Sequence, residues 1–154
     1  MLKIDTTHSG IEKYQPSNFR SQLIQADSAT VIMDCYNANP SSMELALLNA
    51  SKFMSERKII ILGSMKELGD FSQNEHKKLA DLAESLGFQQ VILFGEEFSG
   101  ITLKNGITTN SFEKLVSYLR TIDLQNSLIL IKGSRANRLE RLENVIINHH
   151  SLSG

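Results

Sequence analysis

Between Val31 and Met43 the chain passes from an apolar run through a polar turn into the start of a helix, and this passage narrows the folds open to it. Val31, Ile32 and Met33 form a short run rich in β-branched residues, as in strands covered on both faces. Residues 34 to 39 then carry little but hydrogen-bonding groups. Asn39 has N-cap chemistry, and Pro40 fits the first helical position, where the N–H it lacks would have no partner. Strand, polar turn and helix in that order form the unit of an open α/β sheet, whose ligands bind outside the carboxyl ends of the strands. The turn of residues 34 to 39 is therefore the first candidate site.

The unit recurs. Residues 58 to 62 predict a second strand, stopped at Gly63 and followed by the loop 63 to 69. Ser72-Gln-Asn-Glu75 has the capping-box pattern, so a helix is predicted from there, with Leu79, Leu82, Ala83 and Leu86 inward and Gly87 as its stop. His76, in the first turn of that helix, reads as solvent-facing. Residues 90 to 94 predict a third strand. Asn105-Gly106 is a turn signal that suits a small hairpin, with a short strand near residues 107 to 109. Asn110-Ser-Phe-Glu113 again resembles a cap, with Leu115, Val116, Leu119 and Ile122 on one helical face. Residues 127 to 131 predict the last strand, which runs through Lys132-Gly133-Ser134 into a helix with Leu139, Leu142, Val145 and Ile146 inward. Met43, Ala46, Leu47, Ala50, Phe53 and Met54 repeat at helical spacing, so these methionines are expected in the core. The pattern predicts an α/β fold: a three-layer, Rossmann-like, mostly parallel sheet flanked by helices and joined by right-handed crossovers.

With 154 residues, the chain suits one ordinary domain. Residues 1 to 22 read as a polar lead-in or interdomain linker, 23 to 148 as the domain and 149 to 154 as a frayed tail. Sixteen Lys plus Arg stand against 17 Asp plus Glu, a net charge of -1, so there is no general attraction to nucleic acid or to an anionic membrane. Cys35 is the single cysteine, which excludes an internal disulfide and suggests a reducing compartment. The longest apolar runs are far too short to span a bilayer, and the N-terminus carries no secretory signal. A soluble cytoplasmic protein is expected.

Three polar turns, at residues 34 to 39, 63 to 69 and 132 to 135, follow three strands and would share one edge of a parallel sheet. Lys132, Arg135 and Arg138 stand where the last helix is expected to begin, a place that ordinarily favours acids. Cations there fit either an anion-binding turn or a solvated basic face. Arg20, with no evident carboxylate neighbour, reads on its own as a surface arginine. The sequence contains no G-x-x-x-x-G-K-[ST] phosphate loop, no G-x-G-x-x-G fingerprint, no nucleophilic triad and no metal-ligand cluster. Residue chemistry alone describes a ligand-binding α/β domain without a complete catalytic set.

Tyr36-Asn-Ala-Asn-Pro-Ser-Ser-Met43, Leu62-Gly-Ser-Met-Lys-Glu-Leu-Gly69 with His76 downstream, and Leu130-Ile-Lys-Gly-Ser-Arg135 occur in one order. Together with the lead-in Tyr14-Gln-Pro-Ser-Asn-Phe-Arg-Ser-Gln22, they resemble the C-terminal domain of the Mur ligase family, in its D-alanyl-D-alanine-adding branch. The resemblance covers residues 10 to 148. It implies a part of an ATP- and Mg2+-dependent enzyme that phosphorylates the carboxylate of UDP-MurNAc-tripeptide and lets the amine of D-alanyl-D-alanine attack the acyl phosphate. It also implies that this chain alone is inactive, because the N-terminal domain and the central domain with the ATP phosphate loop lie outside it. By matching position, the resemblance points to Arg20 for the ATP phosphates and Asp34 for the ribose. Tyr36, Asn37 and Asn39 would line the nucleotide. Lys132, Ser134 and Arg135 become candidates for the dipeptide carboxylate or the acyl phosphate. Relatives often end the strand before the first motif in two acids with a serine after them, whereas Met33 and Cys35 flank Asp34 here. A standalone nucleotide-binding or regulatory α/β module without catalysis is the alternative.

Overall fold

The computed structural model describes residues 21–27 and 29–149. Residues 1–20, Arg20 among them, and residues 150–154 of the tail lie outside the described residues.

Six strands form one sheet in the order β1-β2-β6-β3-β4-β5. They are β1 (Gln22–Ala26), β2 (Ala29–Asp34), β3 (Arg57–Gly63), β4 (Gln90–Phe94), β5 (Gly106–Thr109) and β6 (Ser127–Lys132). Only β1 runs antiparallel, against β2; the other neighbours are parallel. Between them lie α1 (Pro40–Ser51), α2 (Ser72–Ser85) and α3 (Phe112–Leu119), and α4 (Leu142–Ile147) follows β6.

The central strands are apolar on both faces because both faces are covered. Ile32, Ile60, Leu62, Leu93, Leu128 and Leu130 pack with Met43 and Leu47 of α1 and with Leu79 and Ala83 of α2. Their alternate neighbours Val31, Met33, Ile59, Ile61, Ile92, Ile129 and Ile131 pack with Leu115 and Leu119 of α3 and with Leu142 and Ile146 of α4. Strand periodicity thus sorts one apolar run into two cores, and the result is the expected three-layer α/β sheet. Among the described residues no helix is long and apolar enough to cross a membrane.

Local details depart from the expectations at six places. The segment 22 to 26, read as lead-in and domain start without a strand, forms the edge strand β1. Asn105-Gly106 makes no hairpin: β5 pairs with β4 in parallel, because Val91 N–H already bonds Asn105 O and the chain must rejoin the sheet in the common direction. Ser72 starts α2, yet the cap position falls on Phe71, since a short 3-10 turn at Gly69–Phe71 leads into the helix. Met54 lies past the end of α1 and is 74% exposed, so of this pair only Met43 is core. His76 is buried rather than solvent-facing. After β6 the chain makes two 3-10 turns, Arg135–Asn137 and Leu139–Arg141, before α4. Lys132, Arg135 and Arg138 are therefore not at an α-helix N-terminus, and Arg138 takes a left-handed conformation (φ 53°) between the two turns.

Candidate functional site

Parallel pairing brings the carboxyl ends of β2, β6, β3 and β4 to one edge. Asp34 and Lys132 are direct register partners at the ends of β2 and β6. The Lys132 Nζ lies 2.8 Å from Asp34 Oδ2 and donates to Asn37 O at 3.3 Å. Ser21, just before β1, donates its hydroxyl to the same Asp34 oxygen at 3.2 Å. The Lys132 side chain is 5% exposed and that of Asp34 17%, so this ion pair is largely withdrawn from water. Asp34 and Lys132 also line an open groove of about 250 Å³ beside α1, together with Ser21, Ser42, Asn49 and Phe53.

The rest of the first turn faces outward. Tyr36, Asn37 and Asn39 are exposed, while Ala38 between them is buried and anchors the turn. Asn39 caps α1: its side chain accepts from Ser42 N–H at 2.9 Å, and Ser42 Oγ accepts from Asn39 N–H at 3.1 Å, a reciprocal capping box. Arg135 is exposed on the turn after β6, and its guanidinium carbon stands 5.3 Å from the Tyr36 ring centroid. That cation–π contact ties the outer surfaces of two turns that are about a hundred residues apart in sequence. Ser134 is buried and accepts from Asn137 Nδ2 at 3.0 Å.

Behind these groups the loop after β3 is held from two sides. His76 Nε2 accepts from Met65 N–H at 2.9 Å, which leaves Nδ1 as the protonated nitrogen, 2.7 Å from Ser72 O. Phe98 meets the imidazole edge-on with ring centroids 4.7 Å apart. Lys66 pairs with Glu97 at 2.8 Å. Burial pushes the Glu97 carboxyl up, but hydrogen bonds from Lys66 and from its own backbone N–H outweigh this and hold it below the ordinary carboxylate range. Gly63 and Gly133 pass so closely that a Cβ on Gly133 would stand 2.8 Å from Gly63 Cα, and a Cβ on Gly63 would stand 2.5 Å from Asn137 Nδ2. Both strand ends must be bare for the two turns to meet. Of the residues singled out by sequence, Asp34, Tyr36, Asn37, Asn39, Lys132, Ser134 and Arg135 belong to these adjoining turns. Arg20 lies outside the described residues. Ser21, Ser64, His76 and Asn137 join them; the first three lie in or just downstream of the quoted motifs without having been singled out, and no signal in the sequence pointed to Asn137.

Cys35 sits beside the ion pair. Burial, followed by the nearby charges of Glu140 and Asp34, pushes its thiol up to about 12, with Lys132 opposing. The folded chain therefore keeps this proton more tightly than the unfolded one. Its contribution to stability is complete below the ordinary value of 9.0 and is lost as pH rises toward 12. At pH 8 the folded chain should react with a thiol reagent such as DTNB at least about a hundredfold more slowly than the chain in denaturant, because the thiolate is the nucleophile. Equal rates in the two states would show Cys35 to be open to solvent and no harder to ionise than an ordinary thiol.

The model of the Mur ligase glutamate ligase domain matches residues 19–135. The UDP-N-acetylmuramoyl-tripeptide--D-alanyl-D-alanine ligase of Treponema pallidum is 34% identical over 150 residues, covering 92% of this chain and 32% of its own length. The ligase of the same name from Borreliella burgdorferi is 32% identical over 133 residues, covering 82% of this chain and 29% of its own. Among solved structures, MurF from Acinetobacter baumannii superposes with a TM-score of 0.76 at 25% identity, over 94% of this chain and 33% of that one. MurF ligase from Thermotoga maritima, solved in complex with ADP, gives 0.73 at 25% identity, over 88% and 32%. The chain spans about a third of the length of these relatives.

Proposed function

Because the chain belongs to the Mur ligase family, through that family's glutamate ligase domain, we propose that it forms one side of the active site of an ATP-dependent ligase acting in the cytoplasm. The ligase joins D-alanyl-D-alanine to UDP-MurNAc-tripeptide through an acyl phosphate. What carries this reading is the meeting of the β2 and β6 turns at one sheet edge, with a buried Lys132–Asp34 pair beneath and an exposed Arg135–Tyr36 pair above. A closed ion pair beneath and an exposed cation above suit a surface that must keep its shape while meeting anions.

In this reading Asp34 keeps Oδ2 on Lys132 and Ser21 and presents Oδ1 to the ribose hydroxyls, a role for an acceptor-only carboxylate. Tyr36 and Asn37 meet the nucleotide, and Asn39 holds their turn as its cap. Arg20, which directly precedes Ser21 in sequence, is assigned to the ATP phosphates, since a guanidinium fork suits phosphate oxygens. Arg135 receives the dipeptide carboxylate or the acyl phosphate, while the buried Lys132 and Ser134 support it from behind. Closure of such a surface would align the amine with the acyl carbon and exclude water, so that the C–N bond forms as the phosphate leaves. Mg2+ would reach this chain by way of the nucleotide phosphates: the described residues bring no three carboxylate, histidine or cysteine groups together for it.

The test is a chimera of the Treponema pallidum relative in which this chain replaces the matching third. The expected result is ADP release that requires both UDP-MurNAc-tripeptide and D-alanyl-D-alanine. Micromolar binding of ATP by the chain alone, indifferent to the dipeptide and paired with an inactive chimera, would overturn the reading in favour of a standalone nucleotide-binding module.

A further inference from the structure

We infer that Asn137 is a positioning residue that sets where Arg135 stands. The inference rests on the reading of Arg135 as the residue that receives the dipeptide carboxylate. Residues 134 to 138 form a turn between β6 and α4 that carries Arg135 on its outer side and ends in the left-handed Arg138. A non-glycine residue in that conformation is held there against a local cost, so something must fix the turn. The Asn137 carboxamide does so. It is 7% exposed, and its Nδ2 donates to Ser64 O at 2.8 Å and to Ser134 Oγ at 3.0 Å. Its Oδ1 accepts from the Ser64 hydroxyl at 3.1 Å. Its own N–H donates to Ser134 O at 3.0 Å, and Ser134 N–H reaches the same Ser64 O at 3.4 Å.

One planar amide thus joins the turn after β3 to the turn after β6, using both of its chemical senses at once. Aspartate has the same shape but no donor for Ser64 O, and leucine offers neither donor nor acceptor. The space is reserved for it: a Cβ on Gly63 would stand 2.5 Å from Nδ2, and one on Gly133 would stand 3.1 Å away. A brace buried this deeply touches no ligand. It acts through Ser134 and hence through its neighbour Arg135, by keeping the guanidinium within the few tenths of an ångström that an aligned site needs.

Asn137→Asp in the chimeric ligase provides the test, beside Arg135→Ala and the double variant. Asn137→Asp should raise the KM for D-alanyl-D-alanine about tenfold, leave the KM for ATP unchanged, and add nothing further in the double variant, as expected of two residues acting as one unit. A fall in kcat with an unchanged dipeptide KM, or effects that multiply in the double variant, would mark Asn137 as merely structural and overturn the inference. If Arg135→Ala itself leaves the dipeptide KM unchanged, the reading of Arg135 fails, and that outcome is distinct because it appears in the single Arg135 variant. Hydrogen exchange on the intact chain gives a readout independent of activity. Asn137→Asp, or Ser64→Ala if the first folds poorly, should speed exchange at the Ser134 and Asn137 amides at least about tenfold and spare the amides of β3 and β6. Unchanged protection at those two amides would overturn the inference as well.

Discussion

Lys132→Ala is expected to lower the stability of the folded chain by about 3 to 5 kcal/mol, the usual consequence of removing one partner from a buried ion pair. The reason is Asp34, whose carboxylate keeps the Ser21 hydroxyl but has little water to replace the lost ammonium. In a domain of this size the melting temperature should fall by about 10 °C or more. The pair need not contribute much net stability in itself, because both charges had to be desolvated to form it. Asp34→Asn combined with Lys132→Met should therefore recover most of the loss, to within about 1.5 kcal/mol of the parent. Urea unfolding of the three chains decides the matter: a single-variant loss below about 1 kcal/mol would mean that solvent screens the pair. In the chimera the double variant should be stable yet impaired as a ligase, which separates the fold's use of Asp34 from the ligand's.

His76→Phe should cost about 2 to 4 kcal/mol even though it keeps an aromatic ring against Phe98. The substitution removes the acceptor of Met65 N–H, and Met65 is buried, so a backbone donor is left unpaired away from water. An unsatisfied buried group costs about 1 to 3 kcal/mol, and the lost contact between Nδ1 and Ser72 O adds to it. The effect should be local as well as global. Exchange of the Met65 amide should rise more than that of Ile60 or Ile61 in β3, because loop 63 to 69 loses its tie to α2. Equal acceleration throughout β3 would show that His76 supports the sheet as a whole and not this loop.

How far the sequence reveals this molecule depends on how local each cause is. The strands β2, β3, β4 and β6 are legible because burial on both faces writes a continuous apolar run into three or four residues. The cap at Asn39 is legible because its partner, Ser42, lies three residues away. β1 is not, since an edge strand of five residues with two glutamines needs its partner β2 to define it. His76 reads as polar and exposed until loop 63 to 69 folds back and supplies Met65 N–H, which no spacing announces. Asn137 is more hidden still: its partners Ser64 and Ser134 become neighbours only when Gly63 and Gly133 pass within contact distance. The polar turns of the candidate site could be read from chemistry and parallel topology together. The ion pair beneath them could not, because Asp34 and Lys132 are joined by strand register across 98 residues.

The position of β6 between β2 and β3 has a consequence for how the chain comes to be folded at all. Of the six described strands the last in sequence lies in the middle of the sheet, so until it is made β1-β2 and β3-β4-β5 can form only two half-sheets, each exposing a bare inner edge. Such edges invite wrong partners, and contacts this distant in sequence close slowly. Residues 127 to 132 therefore act as a keystone: their arrival seals both edges, aligns Lys132 with Asp34 and completes the two cores in one cooperative step. A nascent chain stalled before Ser127 would be prey to aggregation and proteases, and the same six residues supplied as a separate peptide would be the natural means of rescuing it.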